Sequence, residues 1–174
     1  LPKEKGLGHY MSPGIKKRYP GVDDFNQFVG AEMMAEKYKL VKDVLDQFAF
    51  ESHSKAIKAT QAGAFDEEIL PIEVSVDGKS SIHKVDEGIR FEASLDSIRS
   101  VKLLREGGRL SAASASQICD GASGVLIVNE KGLKALGAKA KPLARIHHLS
   151  VLGEDPVIML EAPISATRRA LKKA

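Results

Sequence analysis

The order of apolar and polar residues along the chain predicts both helices and strands. The longest helix is predicted over residues 41–62, with Gly63 as its C-cap. Its apolar stripe recurs at helical spacing and consists of Leu45, Phe48, Ala49, Ser52 and Ala56. A shorter helix is predicted over residues 31–38, whereas the glycine- and proline-punctuated stretch up to Val22 predicts a loop.

A β-hairpin is predicted next along the chain. Residues 72–76 (IEVSV) alternate between apolar and polar side chains, the Asp-Gly pair at 77–78 is typical of a hairpin turn, and residues 80–85 can return as the second strand. Ser94 is expected to open a short helix that runs to Leu103. These elements give the first half of the chain an α+β character.

The second half predicts a layered α/β arrangement. Residues 124–128 (GVLIV) form a continuous apolar run, which is typical of a strand covered on both faces. Asn129 is expected to cap a helix that ends at Gly137, and residues 143–151 have the composition of a strand. This β-α-β order after Ser116 favours a layered sheet.

Both ends of the chain predict that the segment belongs to a longer protein. The chain begins at Leu1 rather than at an initiator methionine, within a loop-like stretch. From Asp155 onward the pattern is helical with an interruption at Pro163, and Ser165 is expected to cap a last helix that has no stop signal before Ala174. The fold is therefore expected to be incomplete.

Composition restricts the class of protein. The chain has 174 residues, of which 43% are hydrophobic and 28% charged, so it can form one sizeable core. It contains no apolar run near the ~20 residues of a membrane span, and its start does not resemble a signal peptide. The net charge of +3 comes from scattered basic residues, which argues against a nucleic-acid partner. We expect the cytoplasm or an organelle matrix as its setting.

Two features suggest chemistry without any family comparison. Residues 111–116 contain only serine and alanine, which suits either the polar, extended arm of a ligand or a tight packing seam. Cys119 could be a nucleophile with His147 or His148 as its base, but it precedes Asp120 rather than a cation or a helix N-terminus. We therefore interpret Cys119 as a small buried filler, and we expect no metal site.

Several motifs follow one another in an order that resembles the thiolases, the acetyl-CoA C-acyltransferases and acetyl-CoA acetyltransferases. The serine- and alanine-rich run followed by Asp120-Gly121-Ala122 and an apolar strand resembles the family's TAGNAS and NDGAAAV motifs. Upstream segments resemble other thiolase motifs, namely Ala31-Glu32 (AE-x-x-A), residues 46–56 (DxFAxxSxxKA), residues 65–71 (FxxEIxP) and residues 89–97 (IR followed by SLDS). The resemblance covers nearly the whole chain.

This resemblance implies an internal segment of a thiolase. Residues 1–110 would correspond to the family's loop domain, and residues 111–174 to a remaining part of the α/β layer of the N-terminal domain. The nucleophilic cysteine would lie before Leu1, while the NEAF and GHP motifs and the second cysteine would follow Ala174. The segment is thus expected to hold no catalytic residue and to be inactive alone.

The resemblance also implies part of a coenzyme A site, with coenzyme A or acyl-CoA as substrate and no prosthetic group. Ser116 matches the serine that bonds the pantetheine arm, and Arg90 matches an arginine near the nucleotide end. The remaining matches are apolar or small residues, namely Leu103 and Leu104 at the adenine, Ala112 in the adjoining backbone and Ile118 as an apolar neighbour.

Three positions depart from the family pattern, and one of them is Leu104, which stands where some members have a phenylalanine in the adenine pocket. Ala113 replaces a usual glycine, which predicts strain if that position needs a positive φ, and Ser114 replaces a usual asparagine.

Two functional classes remain open. The first is a segment of a thiolase-type acyltransferase that catalyses thiolysis or Claisen condensation and forms a homodimer or homotetramer when intact. The second is a non-catalytic, thiolase-derived module that binds coenzyme A or another protein.

Overall fold

The computed structural model describes residues 4–173 and contains more helix than strand, with long connecting segments. The helices are α1 (Pro13–Arg18), α2 (Gln27–Lys37), α3 (Lys42–Gln61), α4 (Leu95–Arg99), α5 (Glu130–Leu136) and α6 (Ala162–Leu171), with a short 3₁₀ helix over Ala112–Ser114. Strands β1 (Ile72–Val76) and β2 (Lys79–His83) form an antiparallel pair. No helix within residues 4–173 is long and apolar enough to cross a membrane.

The chain divides into two compact units. The central unit is Ala31–Cys119, and the outer unit combines the chain up to Gly30 with the chain from Asp120 onward. Buried apolar side chains of the central unit are Ala35, Ala49, Ile98 and Leu110, and those of the outer unit include Met11 and Ile158. The domain boundary between residues 110 and 111 is implied by the family resemblance. The division into two compact units does not test it, so it stays a prediction.

Helix α3 is the platform of the central unit, and it spans almost the range predicted from the sequence. Helix α4 and the 3₁₀ helix both pack against it. The predicted stripe is wrong in part, because Phe48 is 72% exposed and Ser52 is also exposed, whereas Asp46 and Ala49 are buried. The inward face is shifted around the helix because Lys42 and Asp46 face α4: the Lys42 Nζ atom donates to Asp46 Oδ2 and, at 3.2 Å, to the Arg99 carbonyl oxygen.

The hairpin is confirmed, with Ile72 opposite His83 and Val76 opposite Lys79. Its turn residues Asp77 and Gly78 have φ values of 51° and 76°, the left-handed conformations that a two-residue turn between twisted strands requires. Helix α5 is confirmed as well, since the Asn129 side chain accepts from the Gly132 N–H at 2.9 Å and Gly137 ends the helix with φ 82°.

Two other predicted strands are not present in the outer unit. Residues 124–128 and 143–151 lie outside any strand, and most of their apolar side chains are exposed. A strand requires a hydrogen-bonded neighbour, and within residues 4–173 the extended pairing is limited to the hairpin and one isolated bridge. The two strand predictions are therefore wrong for the described residues, because an apolar run does not supply the neighbouring strand that a sheet needs.

Two helical boundaries also differ from the predictions. Helix α1 occupies part of the stretch predicted as a loop, because the Ser12 hydroxyl accepts from the Ile15 N–H and Pro13 fits the first helical position. Helix α6 begins after Glu161, so Pro163 lies in its first turn and does not interrupt it, and Ser165 lies inside the helix rather than at its cap. Ala174, the expected end of that helix, lies outside the described residues.

The N-terminus of α3 generates a stability prediction. Its N-cap residue is Val41, which is extended (φ −91°, ψ 159°), 57% exposed and makes no side-chain capping hydrogen bond. Replacing Val41 with serine (Val41→Ser) supplies a hydroxyl that can accept from the Asp43 N–H or from the Val44 N–H, which donates to the Val41 carbonyl oxygen at 3.1 Å. We expect the free energy of unfolding to rise by about 1 kcal/mol, measured by chemical denaturation. The control Val41→Ala removes the same side chain without supplying an acceptor, and an equal gain in both variants would contradict this explanation.

Candidate coenzyme A site

A return loop over residues 103–111 forms the first part of the candidate site. Leu103 and Ser111 form an isolated antiparallel bridge, and the Leu104 N–H donates to the Leu110 carbonyl oxygen at 2.9 Å. At the tip of the loop the Gly108 N–H donates to the Arg105 carbonyl oxygen at 3.1 Å. These hydrogen bonds place Leu103 and Leu104 beside the start of the serine- and alanine-rich run.

Glu32 of α2 attaches the return loop to the helix. Its Oε1 atom accepts from the Arg109 N–H at 2.7 Å and from the Leu110 N–H at 2.9 Å, and its Oε2 atom lies 3.8 Å from Arg109 Nη1. The Glu32 side chain is only 12% exposed. A Cβ atom at Gly108 would lie 2.5 Å from Glu32 Oε1, so the close approach of the carboxylate requires glycine there.

The serine–alanine loop, residues 111–116, begins with a reciprocal pair of capping hydrogen bonds. The Ser111 hydroxyl accepts from the Ala113 N–H at 3.2 Å, while the Ser114 hydroxyl accepts from the Ser111 N–H at 3.0 Å. Ser111 is fully buried, and the 3₁₀ helix that follows it packs against α3. Ser114 therefore has a defined structural role, and Ala113 does not have a positive φ, so the conditional strain at that position is not present.

A second contact brings the Arg90 segment to the far end of the serine–alanine loop. The Arg90 N–H donates to Nδ1 of His53 on α3 at 3.3 Å. A Cβ atom at Gly88 would overlap the side-chain amide of Gln117, so this segment lies against the residue that follows Ser116. His53, which is isolated in the sequence, thus joins the Arg90 segment to α3.

The structure places the predicted binding residues in two groups that share α3 as their support. Leu103, Leu104 and Ala112 belong to the return loop and the turn beside it. Arg90 and Ser116 are within two residues of the contact between Gly88 and Gln117 along the chain. Leu103 is half-buried, whereas Arg90, Leu104, Ala112 and Ser116 are exposed and accessible to a ligand. Ile118 is fully exposed, and no contact of its side chain joins it to either group.

The interpretation of Cys119 as a buried filler is wrong, because its side chain is exposed. It lies in a segment that is in neither a helix nor a strand, so no packed layer covers it. His148 Nε2 lies 3.0 Å from the Ser150 hydroxyl, and the two histidines do not lie in a strand. Within residues 4–173, no group of three or more His, Cys, Asp or Glu side chains is arranged to hold a metal ion.

Sequence reasoning missed the residues that hold the site together. These residues make contacts with parts of the chain that are distant in sequence, and they are Glu32, His53, Gly88 and Gly108. A local sequence pattern does not indicate such contacts. One signal was available for Glu32, because it belongs to the AE-x-x-A motif that carries part of the family resemblance.

Comparison with known proteins identifies the family. The model described as "Thiolase, N-terminal domain" matches residues 20–131, which is more than half of the chain. The chain therefore belongs to the thiolase family. It is 45% identical over 153 residues to the steroid 3-ketoacyl-CoA thiolase FadA6 of Mycobacterium tuberculosis, a match that covers 88% of this chain and 36% of that relative. It is 38% identical over 167 residues to a 3-ketoacyl-CoA thiolase of Psychrobacter, covering 94% of this chain and 42% of the relative.

Solved structures confirm the predicted thiolase-like fold with its mixture of helices and strands. The acetyl-CoA acetyltransferase of Bacillus anthracis matches with a TM-score of 0.79 and 32% identity over 88% of this chain and 39% of that chain. Human mitochondrial 3-ketoacyl-CoA thiolase matches with a TM-score of 0.70 and 31% identity over 84% and 37% of the two chains. The chain thus spans about two fifths of the length of these relatives.

The close approach at Gly108 generates a prediction about the return loop. In Gly108→Ala the new methyl group would meet both Glu32 Oε1 and, at 3.0 Å, the Arg105 carbonyl oxygen. We expect the free energy of unfolding to fall by about 1–3 kcal/mol, measured by denaturant titration. Gly121→Ala is the matched control, since a Cβ atom there meets nothing within 4 Å. An equal loss in both variants would mean that Glu32 does not restrict the space at residue 108.

Proposed function

We propose that this chain carries part of the coenzyme A site of a thiolase-type acyltransferase, which acts on acyl-CoA or acetoacetyl-CoA by thiolysis or Claisen condensation. The observation that carries the proposal is the double contact of the serine–alanine loop, with the return loop at its start and the Arg90 segment at its end. The chain's membership of the thiolase family supports it. In this proposal residues 1–110 are the loop domain and residues 111–174 belong to the N-terminal α/β layer.

Each candidate residue has a role that suits its chemistry. The Arg90 guanidinium is exposed and its backbone is fixed by His53, so it can pair with a phosphate at the nucleotide end. Leu103 and Leu104 offer apolar surface to the adenine. The exposed Ser116 hydroxyl can hydrogen-bond the pantetheine arm beside the Ala112 backbone, with Ile118 as an apolar neighbour.

The same proposal assigns coenzyme A binding to this chain and the catalytic groups to other parts of the protein. Residues 4–173 offer an arginine, hydroxyls and apolar side chains at the candidate site but no nucleophile paired with a base there. We assign the reactive cysteine, the histidine and the second cysteine to parts of a thiolase outside residues 1–174. In this proposal coenzyme A and acyl-CoA are substrates and products of the reaction and not prosthetic groups. We also propose that the protein is located in the cytoplasm or an organelle matrix, and cell fractionation would test this location.

Calorimetric titration of the protein with coenzyme A tests the site. We expect Arg90→Ala and Ser116→Ala each to weaken binding about tenfold, because each removes a polar or charge-assisted contact. Arg145→Ala and Ser80→Ala are matched controls, since both residues are exposed and lie outside the candidate site.

Two outcomes would change the proposal. Absence of coenzyme A binding by the unsubstituted protein would overturn it, as would equal losses in the site variants and their controls. Binding by the 174-residue chain without any thiolysis of acetoacetyl-CoA would agree with the division between binding and catalysis, whereas turnover by that chain would contradict the assignment of the catalytic groups.

We also propose that the intact protein is a homodimer or homotetramer that associates partly through residues 1–110. The hairpin supports this, because Ile72 and Val76 on one of its faces are 56% and 64% exposed. Light scattering coupled to size exclusion is expected to give two or four times the protomer mass, and Val76→Lys is expected to reduce it. Ser75→Lys, on the opposite face of the same strand, is the control. A monomeric unsubstituted protein would contradict the oligomer, and equal effects of the two variants would exclude the Val76 face.

A further inference from the structure

We infer that Glu32 is a positioning residue for coenzyme A binding. Its carboxylate sets the position of the return loop and, through it, of Leu103, Leu104 and Ala112. The inference rests on the proposed function, because it assigns a new residue to the same site. Glu32 itself contacts backbone and Arg109, so its action on a ligand is indirect.

The geometry at Glu32 fixes the direction of the loop as well as its distance from α2. One oxygen, Oε1, accepts from two successive backbone N–H groups, those of Arg109 and Leu110. Two successive N–H groups that converge on one atom restrict the rotation of the two peptide planes to which they belong. Because the Glu32 side chain is only 12% exposed, little water is available to replace its oxygen as the acceptor of these two N–H groups.

The hydrogen bonds of the loop transmit this constraint to both of its arms. The Leu110 carbonyl oxygen accepts from the Leu104 N–H, so the residue that Glu32 holds is bonded directly to a proposed adenine contact. Ser111, the next residue, forms the antiparallel bridge with Leu103. It also makes the reciprocal capping hydrogen bonds at the start of the 3₁₀ helix that begins at Ala112. Without the carboxylate, the Arg109 and Leu110 N–H groups lose their acceptor in a part-buried position.

Four variants of the protein test the inference by titration with coenzyme A, with thermal unfolding measured in parallel. Glu32→Ala removes the acceptor of two part-buried N–H groups, and we expect binding to weaken about tenfold, the loss equivalent to one or two hydrogen bonds. Glu32→Asp keeps the charge but shortens the reach, so we expect a similar loss. Glu32→Gln keeps an oxygen at the same distance and is expected to stay within about threefold of the unsubstituted protein. Glu36→Ala, which removes an exposed glutamate one turn further along the same helix, is the control and is expected to bind normally.

Hydrogen exchange supplies a readout that does not depend on the ligand. The amides of Arg109 and Leu110 are expected to exchange faster in Glu32→Ala and Glu32→Asp and to stay protected in Glu32→Gln and Glu36→Ala. If Glu32→Ala fails to fold, the comparison of Glu32→Asp with Glu32→Gln decides. Weak binding in the first with normal binding in the second supports positioning by reach, and equal binding in the two overturns it.

The outcomes separate this inference from the proposed function. If the unsubstituted protein binds coenzyme A and every Glu32 variant binds equally well, the positioning role is overturned and the proposed function stands. If Glu32→Gln loses as much affinity as Glu32→Ala, the charge rather than the hydrogen-bond geometry matters, and the inference is also overturned. If the unsubstituted protein does not bind coenzyme A, the proposed function fails and the inference fails with it.

Discussion

The carboxylate of Glu32 is the contact on which the candidate site depends. It joins α2 to a loop 77 residues further along the chain and satisfies two successive backbone N–H groups there. Such a long-range contact costs chain entropy, and a partly buried ionised acceptor with two donors is strong enough to offset part of that cost. Gly108 allows the carboxylate to approach the loop, because a side chain there would meet Glu32 Oε1. The buried Ser111 then connects the loop to the 3₁₀ helix.

Helix α3 is the second support of the candidate site, because α4, the 3₁₀ helix and the Arg90 segment all contact it. Lys42 reaches both Asp46 and the Arg99 carbonyl oxygen, and this joins α4 to α3. Asp46 is fully buried, and its Oδ1 atom has no hydrogen-bond partner among the residues that the structure describes. The ion pair with Lys42 offsets only part of the cost of burying this carboxylate, because it involves one of the two oxygens. One helix therefore supports α4, the 3₁₀ helix and, through His53, the Arg90 segment.

The elements that could be predicted from the sequence are those with local causes. The hairpin follows from Asp77-Gly78, and α5 follows from its Asn129 cap and Gly137 stop, because a few neighbouring residues determine each of them. The strands expected at 124–128 and 143–151 fail for the opposite reason, since pairing depends on a partner that no local pattern contains. For the site, the family motifs indicated Arg90 and Ser116, but the roles of Glu32 and His53 depend on contacts across long stretches of chain. The exposure of Cys119 likewise depends on what covers it and not on its own side chain.

Hydrogen exchange of the protein with and without coenzyme A is the most direct test of the account. If the return loop, the serine–alanine loop and the Arg90 segment form one binding surface, coenzyme A will slow exchange over residues 86–90 and 103–118 together and leave the hairpin at residues 72–83 unchanged. Protection confined to only one of the two segments, or located in the hairpin, would contradict the claim that α2 and α3 hold these loops as a single coenzyme A site.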